Sequence, residues 1–235
     1  MVKEIEKIRI SEIFRSLEGE GQFAGTPTIF IRTSGCNLKC RWCDTRYTEV
    51  GCSDMSPRAI YIEVQKLLKV YPKTPRISIT GGEPLLWDDR LSGLINLLRM
   101  ESGKQIHFET NCTVMPSFKI LDQRMFFTVS PKLPSSGSRW EDKVLWYWKG
   151  RRNVEFKFVV ADQCDWNTLM EMYRTYTLQD EVVYVQPCYE PPHTHSLPYQ
   201  QRMQRLADRV LNCEYNIRIM PQLHKLFWPE KERGV

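Results

Sequence analysis

Short β-branched and aromatic runs alternate along the chain with stretches whose apolar residues recur at helical spacing. Runs at 8–14, 28–33, 76–80, 106–109, 125–130, 154–160, 182–186 and 217–220 predict strands. Between them, Ser56 stands as an N-cap with Pro57 in the first turn, and Ile60, Val64, Leu67 and Leu68 share one face. Leu91, Leu94, Ile95 and Leu98 make a second stripe, Leu169, Met172 and Tyr173 a third, and 198–211 predicts a fourth helix. Segments 43–57 and 130–150 have the least regular pattern and predict loops or short helices over a rim. Strand–helix alternation predicts an α/β fold with a parallel sheet. A closed eight-unit barrel takes ~250 residues. The expectation is therefore a partial, open (β/α)6-type barrel with helices outside, in one domain spanning 1–235.

Composition narrows the class. The chain has 235 residues, 42% hydrophobic and 26% charged, which suits a globular core. A net charge of +5 is too small and dispersed to argue for nucleic acid or membrane. No run reaches the ~18 apolar residues of a spanning helix. The first ten residues carry charges in every turn and no apolar stretch, unlike a secretory signal, so the expected compartment is the cytoplasm. No internal repeat or low-complexity linker is visible.

Polar groups follow nearly every predicted strand. Thr80 runs into Gly81-Gly82-Glu83-Pro84, Phe108 into Glu109-Thr110-Asn111, and Val129 into Ser130-Pro131-Lys132. Val185 leads to Gln186-Pro187 and Met220 to Pro221-Gln222-Leu223-His224, while Lys157 interrupts an apolar run. Each alone reads as turn chemistry. Together they point to one pocket at the C-terminal ends of the strands, where α/β folds bind ligands. Gly81 and Gly82 would admit a ligand close to the backbone.

Cys36, Cys40 and Cys43 lie within eight residues, spaced Cys-x-x-x-Cys-x-x-Cys, just after the strand at 28–33. A structural zinc takes four ligands, usually as two separated pairs, and no fourth is evident here. Three thiolates on a 4Fe–4S cluster would leave one iron open to a ligand. Lys39 and Arg41 would favour the thiolates. Iron–sulfur, zinc and unrelated core cysteines all remain open on spacing alone. Cys52, Cys112, Cys164, Cys188 and Cys213 read as buried or incidental thiols.

The cysteine motif, with Trp42 before the third cysteine, resembles that of the radical S-adenosylmethionine enzymes. Gly81-Gly82-Glu83-Pro84 resembles their motif for the methionine amino group. Most of the chain resembles the 7-carboxy-7-deazaguanine synthase family. The matching pieces are Ile13-Phe14-Arg15-Ser16-Leu17-Glu18-Gly19-Glu20-Gly21, Phe30-Ile31-Arg32, Cys43-Asp44-Thr45, Thr80-Gly81-Gly82-Glu83-Pro84, Glu109-Thr110-Asn111, Ser130-Pro131-Lys132 and Pro221-Gln222-Leu223-His224-Lys225. The resemblance implies conversion of 6-carboxy-5,6,7,8-tetrahydropterin to 7-carboxy-7-deazaguanine with loss of ammonia, in queuosine and 7-deazapurine biosynthesis. A radical derived from S-adenosylmethionine would take hydrogen from C6 and return it after ring contraction, regenerating the cofactor.

It further implies a 4Fe–4S cluster on Cys36, Cys40 and Cys43, and Mg²⁺ at Thr45. Trp42, Gly82, Glu83, Ser130, Pro131, Lys132 and Gln186 would form the S-adenosylmethionine wall. Leu17, Glu18, Gly19, Glu20, Arg32, Thr80, Glu109 and His224 would hold the substrate. A flavodoxin- or ferredoxin-type electron donor and a homodimer are also implied. An Arg at 32 suits a carboxylate, and a Glu at 109 can accept from pterin N–H groups. Glu18 stands where the family often has Gln, which leaves a backbone contact, and Cys112 stands where Gly is common. The charged tail 225–235 would order over the site or pack on a second subunit.

Plainer readings stand beside these. Glu20 could be a solvated turn residue, Arg32 a surface ion-pair partner and His224 structural, while Lys157 could snorkel from its strand. His193 and His195 read as loop residues without a role. The rivals are an activase that places a glycyl radical on a partner protein, and a zinc-binding interaction module.

Overall fold

A computed structural model describes residues 7–101, 103–117, 125–189 and 197–235. Among the described residues nine strands form one sheet: β1 (Ile8–Leu17), β2 (Pro27–Thr33), β3 (Ser53–Met55), β4 (Arg76–Gly81), β5 (Gln105–Thr110), β6 (Met125–Val129), β7 (Val154–Val160), β8 (Val183–Pro187) and β9 (Ile217–Ile219). The helices are α1 (Pro57–Val70), α2 (Asp88–Leu98), α3 (Asp142–Trp148), α4 (Gln163–Tyr176), α5 (Tyr199–Leu211) and α6 (Leu223–Phe227). Strand order is β3-β1-β2-β4-β5-β6-β7-β8-β9, with β3 and β9 at unjoined edges. From β2 through β4 to β9 the neighbours are parallel, whereas β1 runs antiparallel to both β2 and β3. This is the open, partial barrel that the alternation predicts. No described helix is long and apolar enough to cross a membrane.

Period-2 alternation builds the sheet. Ile29 and Ile31, Ile77 and Ile79, Ile106 and Phe108, Phe127 and Val129, Phe156 and Phe158, and Val183 and Val185 are buried in one apolar core. That core includes Ile60, Val64 and Leu68 of α1, the Leu91–Leu94–Ile95–Leu98 stripe of α2, and Leu169, Met172 and Tyr173 of α4. Each such side chain contributes roughly 1.5–3 kcal/mol by leaving water. The Ser56 hydroxyl accepts from Ala59 N at 3.2 Å, and Pro57 opens α1 without wasting a donor.

The first 50 residues depart from the expected pattern. β1 does not stop at residue 14 but runs to Leu17, because backbone pairing continues to Leu17 opposite Pro27. It belongs to an antiparallel hairpin, not a βα unit. Within the expected loop 43–57, β3 forms against Ile8–Ile10, although two of its three residues are exposed. Apart from Met55, which packs on the core, backbone bonds hold it, so no apolar pattern announces it. In 130–150, α3 buries Val144, Leu145 and Trp148. His193 and His195 lie outside the described residues.

Candidate active site

The alternate residues of the same strands form the sheet's other face, which is polar. Register places Arg32 beside Thr80, Ser78 beside His107, Glu109 beside Thr128, Thr128 beside Glu155, and Lys157 beside Tyr184. Nearly all are buried, so each needs a partner inside the protein or in a ligand. At the C-terminal strand ends this face opens into a cleft lined by Leu17–Glu20, Arg32, the cysteine loop, Thr80, Gly82, Glu109, Ser130, Lys132, Gln186 and His224.

The cysteine loop leaves β2 after Thr33. Cys43 N donates to Cys40 O, closing a turn, and Arg41 N donates to Ser136 O at 2.9 Å. Trp42 Nε1 donates to Ser135 Oγ at 3.2 Å, so the loop rests on the segment after β6. Asn111 Nδ2 lies 3.7 Å from Cys36 Sγ, and Cys43 Sγ lies 3.6 Å from Thr45 Oγ1. Burial pushes the Cys36 thiol up, a cost that cationic iron would offset. Among the described residues the group drawn to single-ion spacing, with ligand atoms within 4.8 Å, is Glu18, His107 and Glu109.

The glycines of 81–82 line the cleft and have a second task besides the one expected. A Cβ on Gly81, whose φ is 139°, would strike the Thr33 backbone, and one on Gly82 would strike the Gly35 carbonyl. Gly82 N donates to Thr33 O and Glu83 N to Gly35 O. Their bareness lets the cysteine loop lie against the end of β4.

Charged groups line the opposite wall. Glu20 receives Lys157 Nζ, Gln186 Nε2 at 2.9 Å and Gln222 Nε2 at 2.7 Å. Burial alone would raise its pKa, but Lys157 and then His224 bring it down to about 2. Glu20 is thus no solvated turn residue, and Lys157 does not snorkel. His224 Nε2 lies 3.3 Å from Asp44 Oδ2. Burial works against the His224 charge, yet Asp44 and Glu20 outweigh it and raise the pKa. Arg32, buried, donates Nε to Glu12 Oε1 at 2.8 Å, and Tyr47 OH donates to the same oxygen at 2.9 Å. The pair fixes the guanidinium by one edge. Thr80 Oγ1 donates to Glu109 Oε2 at 3.1 Å, and burial, then Glu18, pushes Glu109 up.

Two expected cofactor contacts do not reach the cleft: Glu83 and Pro131 are absent from its lining. Glu83 is fully buried and accepts Leu85 N at 3.0 Å, Thr110 Oγ1 at 2.9 Å and Asn111 N at 2.7 Å. Burial, opposed by these bonds, pushes its carboxyl up to about 7. It therefore braces Asn111, which lines the cleft and which the matched Glu109-Thr110-Asn111 piece contains without a role assigned to it. Asp44, Tyr47, Gln222 and Tyr189 line the cleft too. Asp44, beside Thr45 in the matched triplet, and Gln222, beside His224, were within reach of the sequence; Tyr47 and Tyr189 carried no signal. Cys52, Cys112, Cys164, Cys188 and Cys213 stay out of the lining. Cys112 has φ 66°, a left-handed backbone that explains why glycine suits its position.

Residues 30–130 match the model of the radical SAM superfamily. The chain is 33% identical to the 7-carboxy-7-deazaguanine synthase of Koribacter versatilis, across 97% of this chain and all of that one. It is 31% identical to the synthase of Thermoplasma acidophilum, across 93% and 96%. The chain belongs to the 7-carboxy-7-deazaguanine synthase family. The crystal structure of QueE from Escherichia coli superposes with a TM-score of 0.66 at 25% identity, covering 91% of this chain and 94% of that one. As a member of this family the protein is a radical SAM enzyme, with a 4Fe–4S cluster and S-adenosylmethionine as cofactors. The residues fit both groups: three thiols share one loop at the rim, and a polar wall of Gly82, Ser130, Lys132 and Gln186 stands in the same cleft. The zinc-module reading falls with the family assignment.

Proposed function

We propose that the enzyme converts 6-carboxy-5,6,7,8-tetrahydropterin to 7-carboxy-7-deazaguanine with loss of ammonia. The observation that carries this reading is the convergence of Arg32, Thr80, Glu109 and His224 on the cleft that the cysteine loop rims. A planar acid with a donor–acceptor edge is what such a set recognises. An activase would need a broad face for a protein loop, whereas this cleft is walled by buried charges.

Cys36, Cys40 and Cys43 hold the cluster, and Trp42, Gly82, Ser130, Lys132 and Gln186 hold S-adenosylmethionine; Glu83 and Pro131 act from behind. Bound there, the two cofactors supply a carbon radical able to abstract hydrogen from the pterin. Arg32, fixed by Glu12, presents its remaining edge to the substrate carboxylate. Glu109 accepts from pterin N–H groups, and Thr80 holds its second oxygen. Leu17, Glu18 and Gly19 border the pterin, while Glu20 and His224 close its far side. Thr45, whose hydroxyl lies beside Cys43, suits Mg²⁺ near the substrate carboxylate. We place the enzyme in the cytoplasm as one domain per chain and a homodimer, fed by a flavodoxin- or ferredoxin-type donor, with its product destined for modified tRNA nucleosides.

The test is anaerobic turnover. Reduced protein, S-adenosylmethionine and the carboxytetrahydropterin should yield the deazaguanine acid with no net loss of cofactor. Absence of product, alongside turnover of a different substrate, overturns the reading.

A further inference from the structure

Below Glu109 the inward face continues as a chain of hydrogen bonds that the reaction above does not use. His107, 1% exposed, lies two residues back on β5. Its Nε2 is 2.8 Å from Thr128 Oγ1, and Thr128 donates to Glu155 Oε1 at 2.7 Å. Glu155 Oε2 accepts Gln22 N at 3.0 Å, in a turn where Gln22 itself is exposed. On the ring's other side, Nδ1 is 3.1 Å from Ser78 Oγ and 3.3 Å from Glu18 Oε2. That carboxylate oxygen is buried and makes no hydrogen bond in this arrangement. Glu18 lines the cleft; His107 does not.

The single hydroxyl proton of Thr128 fixes the polarity of the chain. While it goes to Glu155, Nε2 carries hydrogen and Nδ1 accepts from Ser78. In the opposite polarity protonated Glu155 donates to Thr128, Thr128 to Nε2, and Nδ1–H turns toward the unpartnered Glu18 oxygen 3.3 Å away. Switching from the second state to the first breaks an O–H bond at Glu155 and forms one at Glu18. The imidazole gains a proton at Nε2 and gives one up at Nδ1, so the ring ends neutral. One proton crosses from the foot of the sheet to the floor of the cleft.

We propose that His107 is a positioning residue that relays a proton from Glu155 through Thr128 to Glu18 for the ammonia-releasing step. The inference rests on the pterin reading above. Loss of ammonia breaks a ring C–N bond, the electron pair leaves with nitrogen, and nitrogen takes a proton from Glu18. The relay then reprotonates Glu18, and water at the Gln22 turn reprotonates Glu155. An equal number of protons leaves the substrate as its new ring becomes aromatic, so the reaction balances.

The imidazole is surrounded by Ser78 of β4, Glu109 of its own strand, and Phe126 and Thr128 of β6, while Arg76 of β4 acts on the neighbouring Glu18 and Glu155 carboxylates. Glu155 of β7 faces it too, with Glu18 and Phe23 from the β1–β2 connection, and Lys157 acts on the same Glu109 and Glu155 carboxylates. Burial pushes both Glu109 and Glu155 up.

Steady-state turnover by the reconstituted holoenzyme tests the relay. Thr128→Val removes the hydroxyl link. His107→Gln keeps hydrogen bonding but passes no proton. Both should lower kcat about tenfold or more, leave KM for the pterin nearly unchanged, and erase one limb of the pH–kcat profile. Formation of 5′-deoxyadenosine in a first turnover should keep its wild-type rate, and Thr128→Ser should recover most of the lost kcat. The relay is overturned if Thr128→Val and His107→Gln keep the wild-type kcat and pH profile. It is equally overturned if Thr128→Ser is as impaired as Thr128→Val. Wild-type protein that converts no pterin overturns the reading of function instead, and the relay with it.

Discussion

The two faces of the parallel strands are buried to the same degree and built from opposite chemistry. On β7, Phe156 and Phe158 are wholly buried toward the helices, while their neighbours Glu155 and Lys157 are 0% and 7% exposed toward the cleft. On β4, Ile77 and Ile79 alternate with Ser78 and Thr80 in the same way. An apolar inward face would have been more stable, because ion pairs rarely outdo well-packed hydrocarbon. The polar face persists because each of its groups has either a protein partner or a place at the rim. The outward face sets whether the chain folds, and the inward face sets what it binds.

Perturbing each face separately tests that division. Cys40→Ala, at the rim, should abolish turnover through loss of bound iron while the far-UV spectrum stays folded. Full iron content in that variant would refute the cluster assignment. Lys157→Met leaves the Glu20 carboxylate among Gln186 and Gln222 without its ammonium partner. Breaking one side of a buried pair costs ~3–5 kcal/mol, and substrate binding should fail as well. Phe158→Ala, one residue along, should cost a similar ~3–5 kcal/mol through the cavity it leaves. Its folded fraction should nevertheless keep the wild-type kcat/KM. If both β7 variants lose stability and activity in the same proportion, the division between faces is wrong. Arg32→Ala is milder for stability, since Glu12 keeps Tyr47 and Gly234 as donors. It should raise KM for the pterin by about thirtyfold, the equivalent of ~2 kcal/mol for a charged contact.

What the sequence revealed follows the same split. The outward face was legible because Ile, Val and Phe at period 2 and the helical stripes of α1, α2 and α4 are strong local signals. The cleft was legible at its ends, where motifs such as the cysteine loop and Glu109-Thr110-Asn111 are contiguous. Its middle was not. Ser78, His107, Thr128 and Glu155 sit at every second position of otherwise apolar runs, and that alternation was readable in principle. Their pairing depends on register between strands that are 20 to 30 residues apart, which no local pattern encodes. Glu83 deceived for a related reason: the motif is real, but its carboxylate turns back to Thr110 and Asn111 instead of forward to the cleft. The β1–β2 hairpin and β3 escaped because backbone pairing rather than side-chain pattern defines them.

The smallest effect expected concerns the lid of the cleft. His224 meets Asp44 from the cysteine loop, and its ring packs so closely on Gly19 that a Cβ there would collide with it. Despite burial, Asp44 and Glu20 raise the His224 pKa in the folded protein. A group raised on folding stabilises fully below its unfolded pKa, about 6.5 for histidine, and loses that contribution as pH climbs through the folded value. Stability should therefore decline on the alkaline side, starting above about pH 6.5. The urea midpoint of the wild type should fall between pH 6 and pH 9, whereas His224→Gln should show a shallower fall over the same window. Asp44 makes the mirror-image contribution: its pKa is depressed, so its support holds at neutral pH and disappears only in acid. Parallel midpoint curves for wild type and His224→Gln would mean that the Asp44 contact is packing alone, and that α6 is held over the cleft without charge.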